Sequence, residues 1–455
     1  MEDVNANFQW KCHPQAEQLV LATLKQYTQR SPYLARLESD LLVKTSTRLV
    51  DWVDHLIIDE DSEMINGLLE SGFVLQKLDS KDTVYCHPGA QLPRVVIRRN
   101  NALSMGVALV VDHITDFLMA REICVESVIQ GSVFGNYRRC LVSGENDIAV
   151  FVVERRGTQT IVPTVEDAET LERYHKALEL WESRPRVFND EMAGIDKTIK
   201  LAQHLVDLVG QSRAAWTVLE AERRYWQRRN TAGQVQKNRQ DQVGMGWANH
   251  DHHTFRSSRA LFYKLVHLFE ILGFHCRERY YAGQEAGWGA QVMENSESRL
   301  VLFLDVDLAS NEIQGDFAHQ PLPPLEKLNT IGLWCGLHGD SIFQAGMHHL
   351  EAQFMFDELT EELSKSGVRM MSPFSTFPYL KQAFTVGENW SVDPERVQRL
   401  LHRDVITQEQ ADQFIREGAL GSHLENLQRR EGYKGFNQKN VSSIIKKTDP
   451  RVSHA

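Results

Sequence analysis

The chain has 455 residues, 42% of them hydrophobic and 24% charged, which is typical of a globular protein with more than one core. Its formal net charge of −11 argues against a broad surface for nucleic acid or anionic membrane, because Lys and Arg hold both partners. Six scattered cysteines, no apolar run long enough to span a bilayer and a polar N-terminus predict a cytoplasmic protein outside the membrane.

The first half of the chain alternates between helical and strand patterns. Apolar spacing predicts a mainly helical region over residues 1–92, with helices at 15–27 and 34–58. β-Branched runs then predict a β-rich region over 93–165, with strands at 94–99, 105–111, 137–142 and 147–154. Residues 166–243 are predicted to form long helices. The arginine-rich stretch 223–239 fits either a nucleic-acid-binding face or a helix packed against another domain, and its interleaved aromatics favour the second.

The second half contains two similar patterns. The first predicts a strand at 251–255, a helix that begins at Ser257 or Ser258 and ends at Gly273, and strands at 276–281, 288–294 and 300–306. The second predicts a strand at 348–354, a helix at 355–366 and strands at 368–371 and 379–386. We therefore expect an α+β fold with tandem βαβββ half-barrel modules over 244–437, a helical insertion near 393–418 and a polar tail at 438–455.

Histidines are concentrated where each of these patterns begins. Alternate residues of a strand share a face, so His252 and Arg256 are expected to point together, and so are His349, Glu351 and Gln353. One imidazole from each strand and one carboxylate would form a two-His-one-carboxylate site. Such a site leaves coordination positions open for a substrate and O2 at Fe(II). The pattern therefore predicts a mononuclear metal site.

These residues resemble the vicinal-oxygen-chelate superfamily, and most closely its 2-oxoadipate dioxygenase/decarboxylase family. The resemblance covers about residues 246–437 and rests on short motifs, namely His252-His-Thr-Phe-Arg256, Leu272-Gly-Phe274, His349-Leu350 and Glu425-Asn-Leu-Gln-Arg429 followed by Gly432. It implies that His252, His349 and Glu425 bind Fe(II). It also implies that Arg256 binds the carboxylate of a small 2-oxo acid, a bidentate task that suits guanidinium.

Several alternatives stay open at this point. Glu351 and Glu388 compete with Glu425 as the carboxylate ligand, and Gln353 is a candidate polar contact to the substrate. The same fold would also suit a zinc-, manganese- or nickel-dependent isomerase or lyase. A third interpretation is a binding or scaffold protein that holds a ligand without turnover. Oxygen consumption separates the first two, and turnover separates both from the third.

Overall fold

A computed structural model describes residues 10–76, 82–98, 105–124, 128–437 and 449–451. Most of the predicted tail at 438–455 lies outside these residues. The described chain has an α+β fold, as predicted, with its strands arranged in two mixed sheets. No helix within the described ranges is both long enough and apolar enough to cross a membrane.

The N-terminal part is a mixed sheet of seven strands flanked by helices. In chain order its described elements are α1 (Pro14–Arg30), α2 (Pro32–Thr45), β1 (Val53–Asp59), α3 (Ser62–Glu70), β2 (Val74–Gln76), β3 (Thr83–Cys86), β4 (Arg94–Arg98), β5 (Met105–Val110), α4 (Ile114–Ala120), β6 (Tyr137–Ser143) and β7 (Ile148–Arg155). The strand order is β2-β3-β4-β1-β5-β7-β6. Leucines and valines from α1 and α2 pack against the sheet and form its core.

The predicted helix over 34–58 is wrong beyond Thr45. Helix α2 ends there, because Ser46 adopts a left-handed backbone with φ of 59°. A short 3-10 helix (Leu49–Trp52) follows, and Val53–Asp59 is a strand in the middle of the sheet with all but its last residue buried. Asp54 and His55 are buried together with the apolar run 56–58, so the strand lacks the alternation of polar and apolar residues that predicts a strand.

Four helices connect the two sheets, at α5 (Ala168–Glu182), α6 (Glu191–Val209), α7 (Gln211–Gln227) and α8 (Thr231–Asp241). Helices α6 and α7 are separated by Gly210, whose φ of 79° interrupts the helical backbone. Together with apolar side chains of the C-terminal sheet, these helices form the largest core of the described protein. They cover the outer face of that sheet and leave its inner face to the candidate site.

The C-terminal sheet contains two β-α-β-β-β units with the same strand order. The first unit comprises β8 (His250–Arg256), α9 (Phe262–Ile271), β9 (His275–Tyr281), β10 (Trp288–Asn295) and β11 (Leu300–Asp307). The next elements are α10 (Thr330–His338), β12 (His349–Ala352), α11 (Phe356–Lys365), β13 (Ser375–Phe377), β14 (Leu380–Phe384), β15 (Glu388–Trp390), α12 (Pro394–His402), α13 (Gln408–Glu417) and β16 (Ala419–Arg429). The sheet order β13-β14-β16-β12-β8-β11-β10-β9 confirms the predicted tandem modules, with β15 paired to β16.

Two local predictions in these modules differ from the structure. Helix α9 begins at Phe262, because the Ser257 hydroxyl and the Ser258 N–H both donate to Asp340 and hold this segment outside the helix. The predicted strand at 368–371 is reduced to a single bridge between Met370 and Thr385. The first difference arises from a contact between residues 82 positions apart in sequence, which local patterns do not record.

Candidate metal centre

Three neighbouring strands bring the candidate ligands together. Glu351 on β12 lies directly opposite His252 on the antiparallel strand β8. On its other side, Glu351 lies opposite Glu425 on the parallel strand β16, and His349 lies opposite His423. Directly paired residues point to the same face of a sheet with their Cβ atoms about 5 Å apart. The strand register therefore places an imidazole and two carboxylates in one row across the inner face.

The ligand atoms of these residues converge closely. The Nε2 atoms of His252 and His349 each lie 2.6 Å from Oε1 of Glu351. The second carboxylate is also close, since Oε2 of Glu425 lies 3.5 Å from Nε2 of His349. Ligand atoms of His252, Glu351 and Glu425 all lie within 4.8 Å of one another. Two imidazoles and two carboxylates are a donor set that suits a divalent first-row metal.

The acceptors of this cluster are satisfied only when the Glu351 and Glu425 carboxyls hold protons or when a cation takes the place of those protons. Nδ1 of His252 lies 3.0 Å from Oδ1 of Asp251, a carboxylate that accepts and therefore fixes the ring proton on Nδ1. Nε2 of His252 is then a lone pair that faces a Glu351 oxygen. Oε2 of Glu351 is buried with no hydrogen-bond partner among the described residues. A bound cation would resolve these acceptor–acceptor contacts, so the residues present fit a metal ion.

Burial also shapes the charges of the ligands. It lowers the pKa of His252 to about 4 and holds that of His349 well below its usual value, so both rings are neutral and able to bind a metal. Burial raises the pKa of Glu425 to about 7. The pKa of Glu351 is raised further, by burial and by the neighbouring carboxyl of Glu425. The two carboxyls therefore hold protons near neutral pH unless a cation compensates their charge.

A second set of contacts orients the ligands. Besides its contact with the His252 ring, the Asp251 carboxylate accepts hydrogen bonds from Nε and Nη2 of Arg429 at 3.1 and 3.2 Å. Burial alone would raise the pKa of Asp251, but Arg429 and His252 together lower it below its usual value. Gln382 donates its Nε2 to Oε1 of Glu425 at 3.1 Å. A carboxylate behind a histidine ligand fixes the tautomer and the orientation of its ring.

Arg256 lines the same small cavity, which encloses about 70 Å³ of space. Its guanidinium is buried and lies over the Trp334 ring at 5.4 Å, and it forms no ion pair within the described part of the chain. Its Nε and Nη1 atoms have no hydrogen-bond partner among those residues. Burial lowers its pKa to about 10, which still leaves it charged. A buried guanidinium with free donors is suited to a carboxylate of a bound molecule.

Further residues with polar groups line this cavity. The hydroxyl of Tyr280 and the indole N–H of Trp288 are both buried without a partner among the described residues. Asp305 lines the cavity as well, and burial raises its pKa to about 7 against the influence of Arg256. The cavity therefore offers several donors beside the candidate ligands.

The structure does not bring every predicted site residue to this cavity. Glu388 lies on β15, where its two oxygens accept from the N–H and the hydroxyl of Thr231 at 2.8 and 2.6 Å. Gln353 follows the end of β12 and is not among the residues that line the cavity. Strand alternation from His349 would place His348 on the opposite face, but His348 precedes the start of β12 and also lines the cavity.

His423 is a site residue that the sequence analysis missed. Its Nε2 lies 3.0 Å from Nδ1 of His349, and its ring stacks on Phe384 with the ring centroids 4.1 Å apart. His423 and Glu425 are two residues apart on β16, so they share a face. The signal was present in the sequence, but it depended on recognising 419–429 as a strand.

Comparison with known proteins gives similarity at the level of solved structures. No protein-family model matches the sequence, and no curated protein matches it. A variant of 4-hydroxymandelate synthase from Streptomyces coelicolor is 12% identical, with 88% of this chain and 98% of that chain covered and a TM-score of 0.30. Methylmalonyl-CoA epimerase from Mycobacterium tuberculosis is 12% identical over 40% of this chain and 89% of that chain, with a TM-score of 0.23.

A third similar structure is a fusion of a xylose isomerase-like TIM barrel with 4-hydroxyphenylpyruvate dioxygenase. It is 12% identical, with 89% of this chain and 53% of that chain covered and a TM-score of 0.23. TM-scores this low carry no argument about activity.

Proposed function

We propose that this protein is a non-haem Fe(II)-dependent dioxygenase/decarboxylase that acts on a small 2-oxo acid or a related carboxylate. The observation that carries the proposal is the convergence of two neutral imidazoles and two carboxylates beside a buried guanidinium with free donors. Buried charges are stable only when they are paired or coordinate a metal. The imidazoles and carboxylates of this cavity form a cluster of acceptors that a bound metal cation would satisfy. The guanidinium of Arg256 is a cation that the carboxylate of a substrate would satisfy.

We assign His252 and His349 as the two imidazole ligands, and Glu425 as the carboxylate ligand. Glu351 lies nearer to both imidazoles than Glu425 does, so it is the alternative carboxylate. When bound at these residues, Fe(II) would supply the binding and activation of O2. The donor set also accepts zinc, manganese or nickel, so metal analysis is needed to identify the ion.

The chain's own groups would bind and orient the substrate. The free Nε and Nη1 donors of Arg256 fit the two oxygens of a carboxylate. The Tyr280 hydroxyl and the Trp288 N–H would donate to further oxygens of the same molecule. The apolar side chains of Phe303, Phe374, Phe384 and Phe436 line the remaining wall and exclude water. Such an enclosed site strengthens each of these polar contacts.

Metal content and oxygen uptake together test the proposal. We expect purified protein reconstituted with Fe(II) to hold about one iron per chain, and His252→Ala and His349→Ala to lose it. Glu388→Gln is the matched control, since Glu388 binds Thr231 and not the imidazoles. A wild-type protein that binds no divalent metal would overturn the proposal.

Two further measurements refine the assignment. Glu425→Gln and Glu351→Gln, compared in parallel, identify the carboxylate ligand by the larger loss of iron. Oxygen consumption with a panel of 2-oxo acids should depend on Arg256, so Arg256→Gln is expected to raise KM much more than it changes iron content. Turnover of a carboxylate without oxygen uptake would instead favour an isomerase or lyase.

A further inference from the structure

A second cavity, of about 420 Å³, lies on the other side of β8 from the candidate metal centre. It is bounded by α7, α8, the residues that follow β5 and the glycine-rich segment 244–247. Arg223, which lines it, donates to His253 at 3.1 Å, and His253 points away from the face that carries His252. Cavities of this volume are typical of small-molecule sites. Its lining residues have no role in the function proposed above.

Most charges in its wall are already paired. Four of its cations are neutralised by carboxylates, in the pairs Arg155–Asp54, Arg156–Glu154, Arg224–Glu220 and Lys237–Asp241. The cavity wall is therefore polar, and these four cations are neutralised by carboxylates of the protein itself. The charges that remain outside these pairs define what the cavity is able to bind.

Arg223 is the cation that remains. Its side chain is only 5% exposed, and it has no carboxylate within ion-pair distance among the described residues. Its Nη1 donates to the neutral ring of His253, and its guanidinium lies 5.2 Å from the Trp216 ring centroid. The indole N–H of Trp216 is itself buried without a partner in this part of the chain. A guanidinium buried without an ion pair is destabilising, so an anion is expected beside it.

Unpaired carboxylates lie in the same cavity. Asp112 follows β5, and its Oδ2 accepts from the N–H of Trp247 at 2.7 Å. Asp116, which is exposed to solvent, lies one helical turn further along, in α4. Neither carboxylate forms an ion pair with a cation of the described chain. Arg223 and these two carboxylates lie beyond ion-pair distance of one another, although Asp112 offsets part of the decrease that burial causes in the pKa of Arg223.

We propose that this cavity binds a free amino acid in its zwitterionic form. The carboxylate lies on Arg223 and the indole N–H of Trp216, and the ammonium lies beside Asp112 and Asp116. The amino-acid side chain packs against Trp247. Each end of the ligand compensates a charge that the chain leaves unpaired, which explains why both signs occur unpaired in one cavity. This proposal does not depend on a metal at His252 and His349.

The two tryptophans of the wall provide the measurement. The full chain is titrated with a panel of the non-aromatic amino acids while tryptophan fluorescence is recorded. Each amino acid that binds is then compared with its two halves, namely the analogue that lacks the amino group and the analogue that lacks the carboxylate. For leucine these halves are 4-methylpentanoate and 3-methylbutylamine. We expect a saturable change with at least one amino acid, and binding about tenfold or more weaker for either half, because each half leaves one charge unpaired.

Variants identify the cavity as the site. Arg223→Gln and Asp112→Asn should each weaken amino-acid binding about tenfold or more, and the second variant keeps an acceptor for the Trp247 N–H. Arg228→Gln, an exposed arginine after the same helix, is the matched control and should bind as the wild type does. Arg256→Gln should also leave this binding unchanged. The proposal is overturned if no amino acid gives a saturable change, if the halves bind equally well, or if Arg256→Gln abolishes binding and Arg223→Gln does not.

Discussion

Asp251 supports the candidate metal centre through the strand that carries His252. Its carboxylate accepts from Nδ1 of His252 at 3.0 Å and pairs with two nitrogens of Arg429. We expect Asp251→Asn to weaken metal binding about tenfold and Asp251→Leu to weaken it about a hundredfold. Asparagine retains an oxygen that accepts from His252, whereas leucine leaves the ring without an orienting partner. The specific feature of this prediction is that Asp251→Leu weakens metal binding more than Asp251→Asn does.

The same change affects stability for a separate reason. Removing one partner of a buried ion pair costs roughly 3–5 kcal/mol, because the remaining charge is left unpaired. The lower end of this range, about 3 kcal/mol, applies to Asp251→Asn. Arg429 keeps its hydrogen bonds to the carbonyls of Tyr433 and Gly435 in that variant. The free energy of unfolding, measured in urea with a metal chelator present, reports this loss independently of metal binding.

A double variant separates the two effects. Asp251→Leu combined with Arg429→Met removes both charges, so it should recover most of the stability that Asp251→Leu loses. Metal affinity, measured by competition with a chromophoric chelator, should stay about a hundredfold weaker, because His252 still lacks its orienting carboxylate. If Asp251→Leu binds metal as tightly as the wild type, the argument that Asp251 orients His252 is refuted.

Three further predictions concern the remainder of the fold. Glu222 forms ion pairs with Arg184 and Arg186 in a buried position, so Glu222→Gln should lower the free energy of unfolding by about 3 kcal/mol or more; an unchanged urea midpoint would contradict this. Phe269 is fully buried, and Phe269→Ala should cost about 3–5 kcal/mol by the same measurement. Burial raises the pKa of Asp340 to about 6, above an unfolded value of about 3.9. The folded state therefore favours the protonated form, and the Asp340 carboxyl destabilises the protein progressively as the pH rises from about 4 to 6. The difference in the free energy of unfolding between Asp340→Asn and the wild type should therefore be up to about 3 kcal/mol more favourable to the variant at pH 7 than at pH 4. Equal differences at the two pH values would refute this prediction.

The tandem β-α-β-β-β arrangement could be predicted from the sequence because its elements are short and their patterns are local. The strand at β8, the helix that follows it and the three strands after that helix carry clear signals of period and of turn residues. The strand at Val53–Asp59 could not be predicted in the same way. Its short apolar run, Leu56–Ile58, shows no strand alternation and is equally compatible with a buried helix, and only the pairing with β4 and β5 decides between the two.

The sequence by itself determined which residues of β8 and β12 share a face, because strand alternation is a property of the backbone. His252 with Arg256, and His349 with Glu351, follow from that alternation alone. Only the tertiary structure decided how the three strands are aligned with one another. The register that sets Glu351 opposite both His252 and Glu425 depends on pairings between residues 99 and 74 positions apart, which no local pattern encodes. Only the assembled sheet therefore showed that Glu351 and Glu425 lie in the candidate site together, and that His423 lies beside them.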